Sequence, residues 1–170
     1  MNDLVFLVDV DNTLLDNDRV RVELERTMAD VIGSARMSQF FDLYEQIREE
    51  MGFVNFPETL ERFNRVCDDV GCIGGLSHAL YSFPFAACVY PNAFDALHHL
   101  KSMGRTVILS DGDQLFQRYK IRTAGLEAAV DNQVLVYVHK EQETDDIRAR
   151  YSARHYVMLD DKPRIHASLK

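Results

Sequence analysis

Asp9 and Asp11 stand two residues apart in the string Asp9-Val10-Asp11-Asn12-Thr13-Leu14, directly behind the unbroken apolar run 4–8. Two carboxyls at that spacing can divide a reaction between them. One attacks an electrophile; the other protonates the leaving oxygen and then activates water. Three later points of the chain carry comparable groups, each behind its own apolar run. Ser110-Asp111-Gly112 follows 106–109, His139-Lys140 follows 134–138, and Asp160-Asp161 follows 156–159. A lone acid at such a point ordinarily caps a helix. Reactive groups behind four runs ask for a shared purpose, and phosphoryl transfer supplies one. Clustered carboxylates favour a hard divalent cation, Mg²⁺ above all. A carboxylate can attack phosphorus to give an aspartyl-phosphate, while Ser110, Lys140 and the backbone amides around Asp11 and Gly112 offer donors to the phosphoryl oxygens.

The four apolar runs are short, as strands buried on both faces of a parallel sheet are. Helical stretches separate the later three, so the order β-α-β-α predicts an α/β fold with a doubly wound, Rossmann-like parallel sheet. In such sheets ligands bind beyond the carboxyl ends of the strands, where the acids, the hydroxyl and the ammonium all lie. Between the first strand and the rest, residues 17–88 read as helical. Val20, Leu24, Met28 and Val31 step by three or four, and so do Phe40, Leu43, Tyr44, Ile47 and Met51. Leu60, Phe63, Val66, Cys67 and Val70 repeat the pattern, followed by Leu76, Leu80 and Phe83. Gly33, Gly52–Pro57 and Gly71–Gly75 punctuate them, Asp16-Asn17-Asp18 has the composition of a helix entry, and Pro84 to Pro91 that of a return. The expected organisation is an α/β core from 1–16 and 89–170 with a small helical bundle, 17–88, inserted in it.

Composition narrows the partners. At 170 residues, 46% hydrophobic and 27% charged, the chain has the make-up of a globular protein. Its net charge of −8 and pI near 5.2 argue against nucleic acid and anionic membranes, both of which call for a basic face. A phosphorylated small molecule remains compatible, because a bound cation reverses the local field. Cys67, Cys72 and Cys88 form no CxxC pair and read as apolar thiols. His98, His99, His139 and His155 make no zinc spacing. The first residues lack a basic leader segment and charges interrupt each apolar run, so a soluble, cytoplasmic protein is expected.

Taken in order, Asp9-x-Asp11-x-Thr13-Leu14, Ser110, Lys140 and Asp160-Asp161 resemble the four motifs of the haloacid dehalogenase-like hydrolase superfamily. The helical insert resembles the C1-type cap of its phosphoglycolate phosphatase and β-phosphoglucomutase branches. The resemblance spans essentially the whole chain. It implies Asp9 as nucleophile and Mg²⁺ ligand, and Asp11 as general acid and base with its backbone carbonyl on the metal. Ser110 and Lys140 would hold the transferring phosphate, Lys140 also steadying Asp9, and Asp160 and Asp161 would complete the metal site. Thr13 would organise the loop, and a C1-type cap would close over a small substrate.

Within that superfamily the acid at position 11 marks the phosphatases and phosphomutases. A leaving alkoxide needs a proton donor, whereas a leaving halide does not. The resemblance therefore implies a Mg²⁺-dependent phosphatase for a small phosphorylated metabolite. A phosphomutase shares the same residues, and a non-catalytic phospho-ligand-binding relative is the third reading. A phospho-accepting receiver domain fits worse, since its acid pair also follows strand one but its phosphoacceptor lies mid-chain and it has no helical insert. Asp111 departs from the uncharged residue that relatives often carry, and its carboxylate would need a partner such as Lys140, Arg118 or a cationic part of the substrate. Relatives also continue past the Asp160-Asp161 turn into at least one more strand, so the strand beside the first is expected at a sheet edge.

Overall fold

The computed structural model describes residues 2–67 and 70–168. They fall into two compact units: the chain up to Asn17 together with the part from Phe85 onward, and Asp18–Pro84.

The first unit is built on β1 (Asn2–Val8), β2 (Arg105–Asp111), β3 (Val134–Tyr137) and β4 (Ala153–Leu159). They form one parallel sheet in the order β3-β2-β1-β4. Parallel strands need crossovers, and helices supply them. Counting helices along the whole chain, these are α5 (Ala93–Met103) before β2, α6 (Gln114–Thr123) and α7 (Leu126–Ala129) before β3, and α8 (Thr144–Arg150) before β4. A short α9 (Pro163–Ser168) follows β4. One face of the sheet buries Val5, Leu7, Val107, Leu109 and Leu135 with Ile147 of α8. On the other face Phe6, Val8 and Ile108 are equally covered. Sequence reading ended the second strand at Leu109, but Ser110 and Asp111 are still on the ladder, opposite Val136 and Tyr137.

Strand order sets the functional geometry. The chain leaves β1 for β2 and β3 on one side, then crosses to β4 on the other. The carboxyl ends of β1 and β4 thus flank the point where the winding reverses, the usual place for a ligand crevice. β4 lies at the sheet edge, with Arg154, His155 and Val157 exposed.

The second unit holds the remainder of α1 (Asn17–Ile32) with α2 (Ser34–Met51), α3 (Phe56–Val66) and α4 (Val70–Tyr81). Val20, Leu24, Met28, Phe40, Tyr44, Ile47, Leu60, Phe63, Leu76 and Leu80 are buried, as their spacing predicts. Phe40 and Phe63 meet edge to face at 5.4 Å between ring centres. The stripe drifts at its ends: Ile32 is buried where Val31 was expected, and Met51 and Val66 are exposed. A fixed step of three or four slips around a 3.6-residue helix, so the last member of each stripe rotates off the core face. Gly52 ends α2 at φ 79°, a left-handed turn that costs glycine little. Asn55 then caps α3, its side-chain oxygen accepting from the Glu58 amide at 3.0 Å. Val70 falls outside the residues whose side chains are described.

No described helix is long and apolar enough to cross a membrane.

Candidate active site

Register alone brings the first acids together. Val8 is level with Leu159 on one side and Ile108 on the other, and the Asp9 amide donates to Leu159 O at 2.9 Å. Asp9 and Asp160 are therefore neighbours at the ends of adjacent strands. The chain then folds back on itself: the amides of Leu14 and Leu15 both donate to Val10 O at 2.9 Å, with Asn12 at φ 62°. Asn is among the residues that best tolerate that conformation. Asn12 also accepts the Asn17 amide on Oδ1 at 2.9 Å, which ties the end of this segment back to the loop. This hairpin keeps Asp9 and Asp11 at one end of the sheet.

Asp9 is 1% exposed. Its Oδ1 accepts from the Lys140 ammonium, and its Oδ2 receives the Thr13 hydroxyl at 3.3 Å. Lys140 is completely buried at the 3-10 turn after β3. Its ammonium also lies 2.6 Å from Asp160 Oδ2 and donates to Leu109 O at 3.2 Å. Burial pushes the Asp9 carboxyl up to about 6, against the pull of the Lys140 ammonium. Burial works against the ammonium too, but Asp9 and Asp160 outweigh it and hold Lys140 above its usual value. Lys140 thus keeps its positive charge, while burial makes Asp9 easier to protonate than an ordinary carboxylate.

Asp9, Asp160 and Asp161 each offer an oxygen within 4.8 Å of the others. One ammonium against three carboxylates leaves two negative charges in a small space. A divalent cation with oxygen ligands fits that donor set, and two strand ends hold it in place.

Ser110, 1% exposed, lies on β2 beside this cluster, and Asp11 reaches it through a third party. Gln117 Nε2 donates to Asp11 Oδ2 at 3.0 Å and to Ser110 Oγ at 2.8 Å. Lys120 Nζ donates to Asp11 Oδ1 at 2.6 Å. Neither Gln117 nor Lys120 stood out in the sequence, because polar residues on a helix usually face water. The available signal was position: both share a helix face with Phe116 and Ile121, and a long polar side chain on an apolar face needs a buried partner.

Asp111 is placed differently from expectation. Its Oδ1 accepts the backbone amide of Lys140, not the ammonium, at 2.9 Å. Its other oxygen lies 3.5 Å from Arg164 of α9, which also pairs with Glu141 at 3.2 Å. Arg118 goes elsewhere, to Glu127. Gly112, at φ 137°, spends its amide on Tyr137 O at 2.8 Å, which removes that N–H from the donors available to a phosphate. His139 is exposed.

The chain is similar to known proteins in sequence and in fold. A family model described as haloacid dehalogenase-like hydrolase matches residues 4–161. A crystal structure of a haloacid dehalogenase-like hydrolase from Burkholderia xenovorans superposes with a TM-score of 0.91 at 43% identity, covering 99% of this chain and 79% of that one. A haloacid dehalogenase-like family hydrolase from Xanthomonas campestris gives 0.67 at 17% identity, covering 98% and 79%. The magnesium-bound hydrolase YfnB from Bacillus subtilis gives 0.63 at 16%, covering 95% and 79%. No curated protein matches the chain.

Proposed function

Because the chain belongs to the haloacid dehalogenase-like hydrolases, we propose that it is a Mg²⁺-dependent phosphatase that hydrolyses a small phosphorylated metabolite through an aspartyl-phosphate. The observation that carries this reading is the pairing of a buried carboxylate, Asp9, with a second carboxyl two residues on, Asp11. A halide leaves without a proton; an alkoxide does not. Asp11 is the group that serves an oxygen leaving group.

In the first step an Asp9 oxygen attacks phosphorus. The Asp9–phosphorus bond forms, the bond to the leaving oxygen breaks, and that oxygen takes the proton of the Asp11 carboxyl. In the second step the Asp11 carboxylate takes a proton from water as the water oxygen attacks phosphorus. The Asp9–phosphorus bond breaks, phosphate departs, and both carboxyls return to their starting states. Lys140 orients Asp9 and offers positive charge to the phosphoryl oxygens, and the Ser110 hydroxyl is a further donor. Asp9, Asp160 and Asp161, with the Asp11 carbonyl, would hold Mg²⁺, which supplies positive charge against the phosphoryl group. With a net charge of −8 the protein has no general attraction for nucleic acid or anionic membranes, in keeping with a small substrate and a cytoplasmic enzyme.

The test is a panel of sugar phosphates, nucleotides, phosphoglycolate and 4-nitrophenyl phosphate, assayed with magnesium and again with a chelator, beside chloride release from 2-chloropropionate. Phosphate release that the chelator abolishes supports the proposal. Chloride release without phosphate release, or no turnover of any ester, overturns it.

A further inference from the structure

Helix α6 carries two polar side chains that the four motifs do not account for, and they touch the reacting groups. Asp113 fixes the start of this helix, its Oδ1 accepting the amides of Leu115 at 3.1 Å and Phe116 at 2.7 Å. The buried face then presents Phe116, Gln117, Lys120 and Ile121. Gln117 and Lys120 are each 5% exposed, and burying an amide and an ammonium is costly unless both are satisfied. They are satisfied at Asp11 and Ser110.

Resting on the phosphatase reading above, we propose that Gln117 and Lys120 are positioning residues: together they aim the Asp11 carboxyl at the leaving oxygen and turn the Ser110 hydroxyl toward the phosphoryl group. A primary amide has two N–H donors, and Gln117 spends one on Asp11 Oδ2 and one on Ser110 Oγ. The reverse amide orientation would set its oxygen against a carboxylate, so the side chain has one workable pose. Ser110 Oγ is an acceptor in this contact, which leaves its single O–H to donate to substrate. Lys120 holds the other Asp11 oxygen at 2.6 Å and reaches Asn17 Oδ1 at 3.4 Å. With one donor from α6 on each oxygen, the Asp11 carboxyl cannot rotate freely. A proton donor misplaced by about an ångström loses much of its value.

A merely structural role predicts equal damage to every substrate, whereas a positioning role does not. The probes are 2,4-dinitrophenyl phosphate, whose leaving group departs without a proton, and phenyl phosphate, whose phenolate gains from one. The value of kcat/KM reports steps up to phosphoryl transfer, where the donor acts. Because general acid catalysis contributes about 10²–10⁴-fold, Lys120→Met and Gln117→Leu are expected to lower kcat/KM on phenyl phosphate at least tenfold more than on the dinitrophenyl ester. Lys120→Arg should recover part of the difference. Gln117→Leu should also weaken inhibition by orthophosphate about two- to tenfold through Ser110, the usual worth of one hydrogen bond. Circular dichroism and thermal melting establish that each variant is folded. Should Lys120→Met not fold, Gln117→Leu, which leaves the Lys120–Asp11 pair in place, carries the test. Equal losses on both esters, or none, with an active wild type overturn the positioning assignment alone. A wild type inactive on both overturns the phosphatase reading and this assignment with it.

Discussion

Lys140 and Asp9, which stand far apart in the chain, meet as an ammonium and a carboxylate that are both closed to solvent. The pair is held from two directions, since Asp160 lies on the same ammonium. Desolvating such charges costs several kcal/mol each, and their mutual attraction offsets it together with the hydrogen bonds from Thr13 and to Leu109 O. Removing one member therefore does more than delete a contact.

Lys140→Met should abolish turnover and destabilise the fold by about 3–5 kcal/mol near neutral pH, the usual penalty for leaving buried charge uncompensated. Urea denaturation of the metal-free protein measures it. The penalty should shrink as the pH falls toward about 6, because Asp9, freed of the ammonium that holds its carboxyl down, takes up its proton at a higher pH in the variant than in the wild type. A penalty independent of pH would show that Asp9 is not the group released.

Asp9→Asn separates chemistry from structure. The amide can still receive Lys140, and Asp160 remains to balance the ammonium, so the melting temperature should stay within a few degrees of wild type. Activity on any accepted ester should fall by more than about 10³-fold, as it does when a covalent nucleophile is removed. Retained turnover in a clean preparation would rule out Asp9 as the nucleophile.

The sequence discloses this much of the site for a physical reason. Parallel strands buried on both faces are continuous apolar runs, and where a run stops the chain reaches the edge at which ligands bind. Asp9, Ser110, Lys140 and Asp160 are all found at that edge, although Ser110 proves to be on the ladder itself. What stayed hidden depends on contacts between distant segments. Gln117 and Lys120 look like solvent-facing residues until α6 is laid against the loop that carries Asp11. The partner of Asp111 is Arg164, on a short helix beyond the last strand, and nothing near position 111 announces it. In the helical unit the stripes fix the core well, but the step from Val31 to Ile32 depends on how the helix is rotated, which periodicity leaves undetermined by one residue.

Magnesium binding should depend on pH with a definite sign. The folded Asp9 carboxyl is raised from 3.8 to about 6 by burial, so the folded protein holds this proton more tightly than the unfolded chain does. Its contribution to stability is complete below pH 3.8 and is lost as the pH rises through about 6. The cation needs the carboxylate and must expel that proton at low pH. The rise in melting temperature on adding magnesium should therefore be small near pH 5 and clearly larger near pH 7.5, at the same magnesium concentration in both cases. Equal shifts at the two values would mean that Asp9 does not ligate the ion.

Asp111 gives the last contrast, between Asn and Ala at one position. Its Oδ1 accepts the Lys140 amide, a hydrogen bond that fixes the backbone from which the Lys140 ammonium extends. Asn keeps an acceptor there and loses only the charge facing Arg164, which is 58% exposed and so worth less than about 1 kcal/mol. Ala removes the acceptor and strands the Lys140 amide, at a cost of about 1–3 kcal/mol if water cannot replace it. Asp111→Asn should therefore melt close to wild type and change catalytic efficiency severalfold at most, upward if the carboxylate repels the substrate phosphate. Asp111→Ala should lose both stability and kcat, because Lys140 would no longer be held over Asp9. If the two variants behave alike in melting and in kcat, the bond to the Lys140 amide is incidental.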